Sequence, residues 1–190
     1  MTSRVTLISP ATSRSLREAR FDDGSLLDAQ GAARAQAAAG TLPTAERVLV
    51  SPTVRCRETA SALGLAALDS PELTGLAMGR WRGRTLDDVS KEEPDAVSRW
   101  LSDPAAAPHG GESVRSLCER VTAWLDAIAE VEGRTVAVAE PEVIRAMAVT
   151  ALEAPHSAFW RLDVPPLTAT CLSGRSGRWN LRLGQALDTR

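Results

Sequence analysis

Short apolar runs alternate with longer amphipathic stretches along most of the chain. The runs are rich in β-branched residues, and each is followed within two residues by a proline, glycine or serine, which is the pattern of buried strands. They predict strands at 5–8, 47–51, 135–139, 168–172 and 178–183, with the last two joined by a turn at 173–177.

Between these runs, apolar residues recur at intervals of three and four, which predicts helices that bury one face each. The clearest stripe extends from Val114 to Ile128. Pro141 suits the first turn of a helix, because the N–H that proline lacks would have no partner there. The predicted helices lie at 28–39, 53–63, 113–131 and 141–152, with one or two short helices in 85–101 and loops at 71–84 and 103–111.

Strands that alternate with helices predict an α/β fold. We expect a three-layer α/β/α arrangement with a mostly parallel central sheet, formed by residues 1–190 as one domain. In such sheets, ligands bind outside the carboxyl ends of the strands. Those ends are predicted at 9–11, 51–53 and 139–141, so a binding site is expected where the three segments meet.

The composition narrows the possible partners. The formal net charge is −2, which argues against a nucleic-acid binder, and no apolar run approaches the roughly 20 residues of a membrane span. The first residues lack the layout of a signal peptide, so we expect a cytoplasmic protein. The 22 basic residues include a single lysine, which is typical of a GC-rich bacterial genome.

The sequence carries no cofactor or metal motif. The three cysteines are widely spaced without a C-x-x-C pair, and only two histidines occur. There is no glycine-rich dinucleotide fingerprint, no phosphate-binding P-loop and no G-x-S-x-G nucleophile motif. We therefore expect neither a cofactor nor a metal ion.

Four segments, in order, match a known family pattern. Residues 51–60 (SPTVRCRETA) are very similar to S-P-x-x-R-x-x-Q-T-A, and residues 79–83 (GRWRG) look like G-x-W-E-G. Residues 108–113 (PHGGES) look like P-x-G-E-S, and 140–146 (EPEVIRA) stand in the place of H-G-G-V-I-R-A. With these segments, nearly the whole chain resembles the histidine phosphatase superfamily, whose fold is phosphoglycerate-mutase-like.

The catalytic positions of that pattern are the ones that differ. The resemblance implies an Arg-His-Gly triplet with a nucleophilic histidine at 9–11, where this chain has Ser-Pro-Ala. The second histidine of the pattern corresponds to Glu140, and the proton-donating carboxylate falls on Gly75. Pro10 carries no nucleophile, so phosphohistidine phosphatase or mutase activity is expected to be absent. Of the arginines that surround the phosphate, Arg55 alone clearly remains.

Electrostatics also disfavour a phosphate group at such a site. Two unit charges about 4 Å apart interact by roughly 4 kcal/mol at an effective dielectric constant near 20. Replacing histidine with Glu140 therefore turns attraction into repulsion for an anion.

Glu140, Arg55 and His109 are the candidate catalytic residues. Glu140 could be a general acid or base, or it could cap a helix and neutralise Arg55. Arg55 could clamp an anionic or carbonyl group, or merely pair with Glu140. His109 is the imidazole nearest the expected site and could carry a proton at neutral pH, or it could be a solvated loop residue.

Five further residues are candidates for substrate binding. Glu142 could face the site or simply lie in a first helical turn, and Trp81 is expected to form a wall of the pocket rather than part of the core. Ser9 and Thr12 could bind a ligand, although Thr12 could equally shape a turn. Arg14, with its neighbours Arg17 and Arg20, could replace lost pocket charge or form a solvated face. By contrast, Arg145 is expected to be mainly structural.

These residues leave two classes of function open. In the first, the protein is a repurposed enzyme that carries out cofactor-independent acid/base chemistry, such as isomerisation, cyclisation, dehydration or condensation, on a small organic molecule. In the second, it is an inactive relative that binds a small ligand or a protein partner. A weaker third possibility is residual phosphatase activity through His109. The resemblance also leaves a homodimer open.

Overall fold

A six-stranded sheet forms the centre of the structure, a computed structural model that describes residues 2–175 and 177–187. The strand order is β3-β2-β4-β1-β5-β6, in which the first four strands are parallel and the last two are antiparallel additions at one edge. The strands are β1 (Ser3–Ile8), β2 (Arg47–Val50), β3 (Leu68–Asp69), β4 (Arg134–Val138), β5 (Thr168–Arg175) and β6 (Arg178–Ala186).

The longer helices follow the predicted pattern. The helices are α1 (Arg14–Arg17), α2 (Ala29–Ala37), α3 (Val54–Ala62), α4 (Leu86–Glu92), α5 (Pro94–Ser102), α6 (Val114–Ala129) and α7 (Pro141–Ala151), with 3-10 turns at Pro71–Leu73, Gly79–Trp81 and His156–Arg161. Of these, α1, α2, α4 and α6 begin with a side-chain cap. The Asp28 carboxylate accepts the N–H of Gly31, and the Ser113 hydroxyl accepts the N–H of Ser116.

Alternating side chains of the central strands divide the core into two layers. Val5 and Leu7 of β1 pack in one apolar cluster with α6 and α7, whereas Ile8 packs in a second cluster with α2 and α3. Helices therefore cover both faces of the sheet, which confirms the predicted three-layer α/β/α architecture.

Two details of the late strands differ from the prediction. β5 continues to Arg175 and β6 begins at Arg178, so the connection is shorter than the predicted turn at 173–177, and Ser176 lies outside the described residues.

Within the described ranges, no helix is both long enough and apolar enough to cross a membrane.

Candidate active site

A cavity of about 760 Å³ lies at the carboxyl ends of the parallel strands. Pro10 after β1, Thr53 after β2, and Glu140 and Pro141 after β4 all line it. The neighbouring strands β2, β4 and β1 bring these segments together, because their carboxyl ends share one edge of the sheet. The cavity therefore lies where the sequence predicts a binding site.

Arg55 and Glu140 form a buried ion pair at this cavity. The Arg55 Nε donates to Glu140 Oε2 at 2.8 Å, and its Nη2 donates to the same oxygen. The Thr53 hydroxyl donates to the other oxygen, Oε1, at 2.5 Å. The exposed fraction is 8% for Arg55 and 1% for Glu140. Both carboxylate oxygens thus have donors, and the charges of the pair cancel.

Burial and pairing act in opposite directions on this pair. Burial raises the pKa of the Glu140 carboxyl above its ordinary value, although Arg55 and Thr53 favour the carboxylate. Burial alone would lower the pKa of Arg55, but the charge and hydrogen bonds of Glu140 outweigh it and raise that pKa. Arg55 therefore stays charged, and moving a proton onto or off Glu140 would disturb a buried contact.

Gly75 lies beside the two glutamates, at the position where the family pattern implies a carboxylate. A Cβ atom on Gly75 would lie 3.0 Å from Glu142 Oε2 and 3.2 Å from the Glu140 Cβ. The side chains of Glu140 and Glu142 thus occupy the space next to this loop. At this point of the cavity, the acidic groups come from the start of α7 instead of from residue 75.

Glu142 and Asp22 line the cavity, and no described residue forms an ion pair with either of them. One oxygen of each, Glu142 Oε2 and Asp22 Oδ1, is buried and accepts no hydrogen bond from the described residues. Glu142 was a candidate from the sequence, whereas Asp22 was missed because an Asp-Asp-Gly segment signals only a turn. In the described ranges, no three histidine, cysteine, aspartate or glutamate side chains are grouped so as to hold a metal ion.

Three arginines besides Arg55 line the cavity. Arg20 is engaged elsewhere, since its guanidinium donates to the Glu18 carboxylate and to the Gly83 carbonyl. Arg145 donates from Nε to the Leu162 carbonyl, and its Cζ lies 6.0 Å from the ring centroids of Phe159 and Trp160. Arg82 is exposed. The interpretation of Arg145 as mainly structural thus misses its place on the cavity.

The prediction that Trp81 forms a pocket wall rather than part of the core is wrong. Trp81 is fully buried and packs in an apolar cluster with Val89 of α4 and with Val97 and Trp100 of α5. Its Nε1 donates to Glu93 at 3.1 Å. The apolar faces of these two short helices draw the indole inward, away from the cavity.

His109 also lies outside the cavity lining. Its ring is 1% exposed and lies 5.1 Å from the Trp81 ring, centroid to centroid. Its Nδ1 accepts the backbone N–H of Gly111 at 3.0 Å, and both burial and the charge of Arg80 lower its pKa. The expectation of a proton carrier facing the site is corrected, because this imidazole is a neutral core group.

The remaining three candidates are not among the residues that line the cavity. The Ser9 hydroxyl donates to the Pro165 carbonyl at 2.6 Å, which ties β1 to the segment before β5. The Thr12 hydroxyl donates to Asp28 Oδ1 at 3.1 Å, and Arg14 is exposed and pairs with Glu18. Ser9, Thr12 and Arg14 are therefore corrected from ligand contacts to groups that hold the backbone or face solvent.

Comparison with protein families gives one match over most of the chain. The model of the histidine phosphatase superfamily (branch 1) matches residues 13–186, and so begins just after the segment 9–11. A bifunctional protein of Mycobacterium tuberculosis is 32% identical over 123 residues, which cover 62% of this chain and 34% of that protein. An uncharacterized protein of Mycobacterium bovis matches to the same extent. The chain thus spans about a third of the length of these curated relatives.

Solved structures agree with the fold. A mycobacterial glucosyl-3-phosphoglycerate phosphatase, solved in complex with VO3, is 26% identical, with a TM-score of 0.84 and coverage of 96% of this chain and 98% of that one. A phosphoserine phosphatase mutant from Entamoeba histolytica has a TM-score of 0.86 at 16% identity and covers 98% of both chains. The second likeness, at such low identity, bears on the fold alone.

Proposed function

Because this chain belongs to the histidine phosphatase superfamily (branch 1), we propose that it retains the cavity of that family without phosphohistidine chemistry and binds a small organic molecule there. The observation that carries the proposal is the pair of residues at the histidine positions. Pro10 and Glu140 line one cavity. Glu140 forms an ion pair with Arg55, the arginine that clearly remains of those that surround the phosphate in the family pattern. Pro10 offers no nucleophile, and both oxygens of the Glu140 carboxylate are held by Thr53 and Arg55.

The charges near Arg55 also disfavour a phosphate group. Glu140 neutralises the guanidinium, and the carboxylates of Glu142 and Asp22 lie close enough to act on it electrostatically. A dianion that approached Arg55 would also approach these three carboxylates, and like charges about 4 Å apart repel by roughly 4 kcal/mol at an effective dielectric constant near 20.

Within this proposal, Glu142 is the group that exchanges protons with a bound molecule. It lines the cavity and has no hydrogen-bond donor on Oε2 among the residues that the structure describes, whereas Glu140 has donors on both oxygens. Arg55 and Glu140 then act as positioning residues. One carboxylic acid at a half-enclosed cavity suits isomerisation, cyclisation, dehydration or condensation without a cofactor.

The first test is an assay with 4-nitrophenyl phosphate, with the mycobacterial glucosyl-3-phosphoglycerate phosphatase as positive control. We expect no turnover above the blank. We also expect no change in the unfolding temperature on addition of orthovanadate. Turnover that survives repurification and falls in a Glu142→Gln variant would overturn the proposal.

A second candidate function is a binding protein without turnover. The hydrogen bonds that hold both oxygens of Glu140 favour it. A carboxylate with donors on both oxygens holds a site in shape without needing to react. Once a ligand is found, mass spectrometry after incubation separates the two candidates. An enzyme converts the ligand and loses turnover in Glu142→Gln, whereas a binding protein returns it unchanged.

A further inference from the structure

We propose that the ligand of this cavity is an organic cation, a protonated amine on an apolar body. This inference rests on the proposed function, since it names the class of molecule that the same cavity binds. It is carried by the charges around Arg55, by two carboxylate oxygens without donors, and by the apolar part of the cavity lining.

The charged groups that act on Arg55 are all carboxylates. Arg55 is affected by three carboxylates, Glu140, Glu142 and Asp22, and Glu140 alone already neutralises it. Over the whole lining, Asp163 adds a fourth acid and Arg20, Arg82 and Arg145 add three cations, of which Arg20 is paired with Glu18. Next to Arg55, however, Glu142 and Asp22 are acids beyond the one that pairs with it. A monocation lowers the electrostatic energy of such a centre, while an anion raises it.

Two carboxylate oxygens in the lining accept no hydrogen bond from the described residues. Glu142 Oε2 and Asp22 Oδ1 are buried without a hydrogen bond in the described part of the chain, and they come from separate elements, α7 and the segment after α1. A buried acceptor without a donor costs about 1–3 kcal/mol, and more if it is charged. The three N–H groups of a primary ammonium can serve more than one such carboxylate.

The arginines of the lining leave these two acids free. In the described ranges, no ion pair involves Asp22 or Glu142. Arg20 is engaged with Glu18, Arg145 turns its Nε to the Leu162 carbonyl, and Arg82 is exposed. The negative charge at the centre is therefore available to a ligand.

Apolar groups supply the rest of the contact surface. A volume of about 760 Å³ lies within the usual range for small-molecule sites. The ring of Phe21, next to Asp22, can pack on the body of the ligand and attract its cationic end. The apolar lining includes Leu16, Phe21, Leu76, Met78, Val164 and Pro165.

The test compares three probes that share one aromatic ring and differ in charge: benzylammonium, benzyl alcohol and phenyl phosphate. Binding to the full chain is measured by calorimetry and by the unfolding temperature. We expect benzylammonium to bind at least about tenfold more tightly than benzyl alcohol, since tenfold corresponds to one modest charge interaction. Added salt should weaken its binding, because screening acts on the charged part. Phenyl phosphate should not bind.

Two variants then locate the site. Asp22→Asn and Glu142→Gln keep the shape of each side chain but remove the charge, and each should remove most of the preference for benzylammonium over benzyl alcohol. Asp126→Asn and Glu119→Gln change exposed acids of α6 in the same way and should leave the preference intact. Circular dichroism confirms folding of each variant.

The outcomes separate this inference from the proposed function. Two results would overturn the inference that the ligand is a cation: benzyl alcohol that binds as tightly as benzylammonium, or no benzylammonium binding up to about 10 mM, the weak end of fragment affinity. Neither result contradicts the proposed loss of phosphatase activity. Equal loss in the α6 control variants also overturns it. Tight binding and turnover of phenyl phosphate would overturn the proposed function itself.

Discussion

At the scale of single residues, the chemistry of this cavity depends on how a buried arginine is neutralised. Arg55 is surrounded by carboxylates, and Glu140 contacts it directly. Buried ion pairs contribute little net stability, but removing one partner leaves a charge without compensation in a poorly solvated place. The two partners are not equivalent here, because Asp22 and Glu142 remain near Arg55 when Glu140 is changed.

This asymmetry gives a prediction for stability. Arg55→Met should lower the free energy of unfolding by about 3–5 kcal/mol, because three carboxylates lose their cation. Glu140→Gln should cost less, about 1–2 kcal/mol, since the remaining acids still compensate the guanidinium. Urea unfolding followed by circular dichroism measures both.

The double variant Arg55→Met/Glu140→Leu is the control for that experiment. It should be more stable than Arg55→Met alone, because a matched apolar pair leaves one charge fewer in the cavity. A loss equal to the sum of the losses in Arg55→Met and Glu140→Leu alone would mean that the two side chains do not interact.

At the scale of elements, two loops pack backbone against backbone beneath the cavity. The backbone N–H of Glu112 donates to the Ala77 carbonyl at 2.8 Å, and that of Arg80 donates to the His109 carbonyl at 3.0 Å. Gly111 has no room for a side chain, since a Cβ there would lie 1.6 Å from the Ala77 oxygen. The loop that lines the cavity through Gly75, Ala77 and Met78 is thus fixed by the loop that carries His109.

Neighbouring glycines allow a matched test of this contact. Gly111→Ala should cost about 3 kcal/mol or more, because the methyl group forces two backbones apart. Gly110→Ala should cost only about 1–2 kcal/mol, since its φ of +78° is strained for alanine but nothing lies within 4 Å of the added Cβ. Thermal unfolding of both variants measures the difference, and equal losses would show that the two loops separate at little cost.

Sequence reasoning found the strands and helices that are long enough to show a repeating pattern of apolar residues. The runs that became β1, β2 and β4 and the stripe of α6 were clear from the sequence, whereas α1 and β3, with four and two residues, are too short for any period. Arg55, Glu140 and Glu142 were found at the strand ends. Trp81 and His109 were misplaced because their partners on α4 and α5 are tertiary contacts that local spacing does not reveal.

At the scale of the whole molecule, one buried imidazole links stability to pH. His109 is neutral in the fold, since its Nδ1 accepts the Gly111 N–H and burial lowers its pKa. The unfolded chain binds a proton near pH 6.5, and the folded protein binds it only at lower pH. The stability due to neutral His109 is therefore complete above about pH 6.5 and is lost as the pH falls toward the folded value.

The corresponding experiment follows the unfolding temperature between about pH 7.5 and 5.5, a window set on either side of the histidine pKa of the unfolded chain. The temperature should fall on acidification, and His109→Gln should flatten the slope because its amide does not titrate. His156→Gln removes the other histidine of the chain. A slope that disappears in His156→Gln but persists in His109→Gln would refute the assignment.

The aromatic residues beside the cavity also give this protein an optical reporter of its own. Phe21 and Arg145 line the cavity, and each lies against an indole: Phe21 stacks on Trp81 at 5.7 Å, and Arg145 lies over Trp160. Trp160 in turn lies 4.4 Å from Trp100. A molecule in the cavity would therefore contact side chains that pack directly on the tryptophan rings, which fluoresce. Its arrival can be followed by intrinsic emission, without a dye or a label.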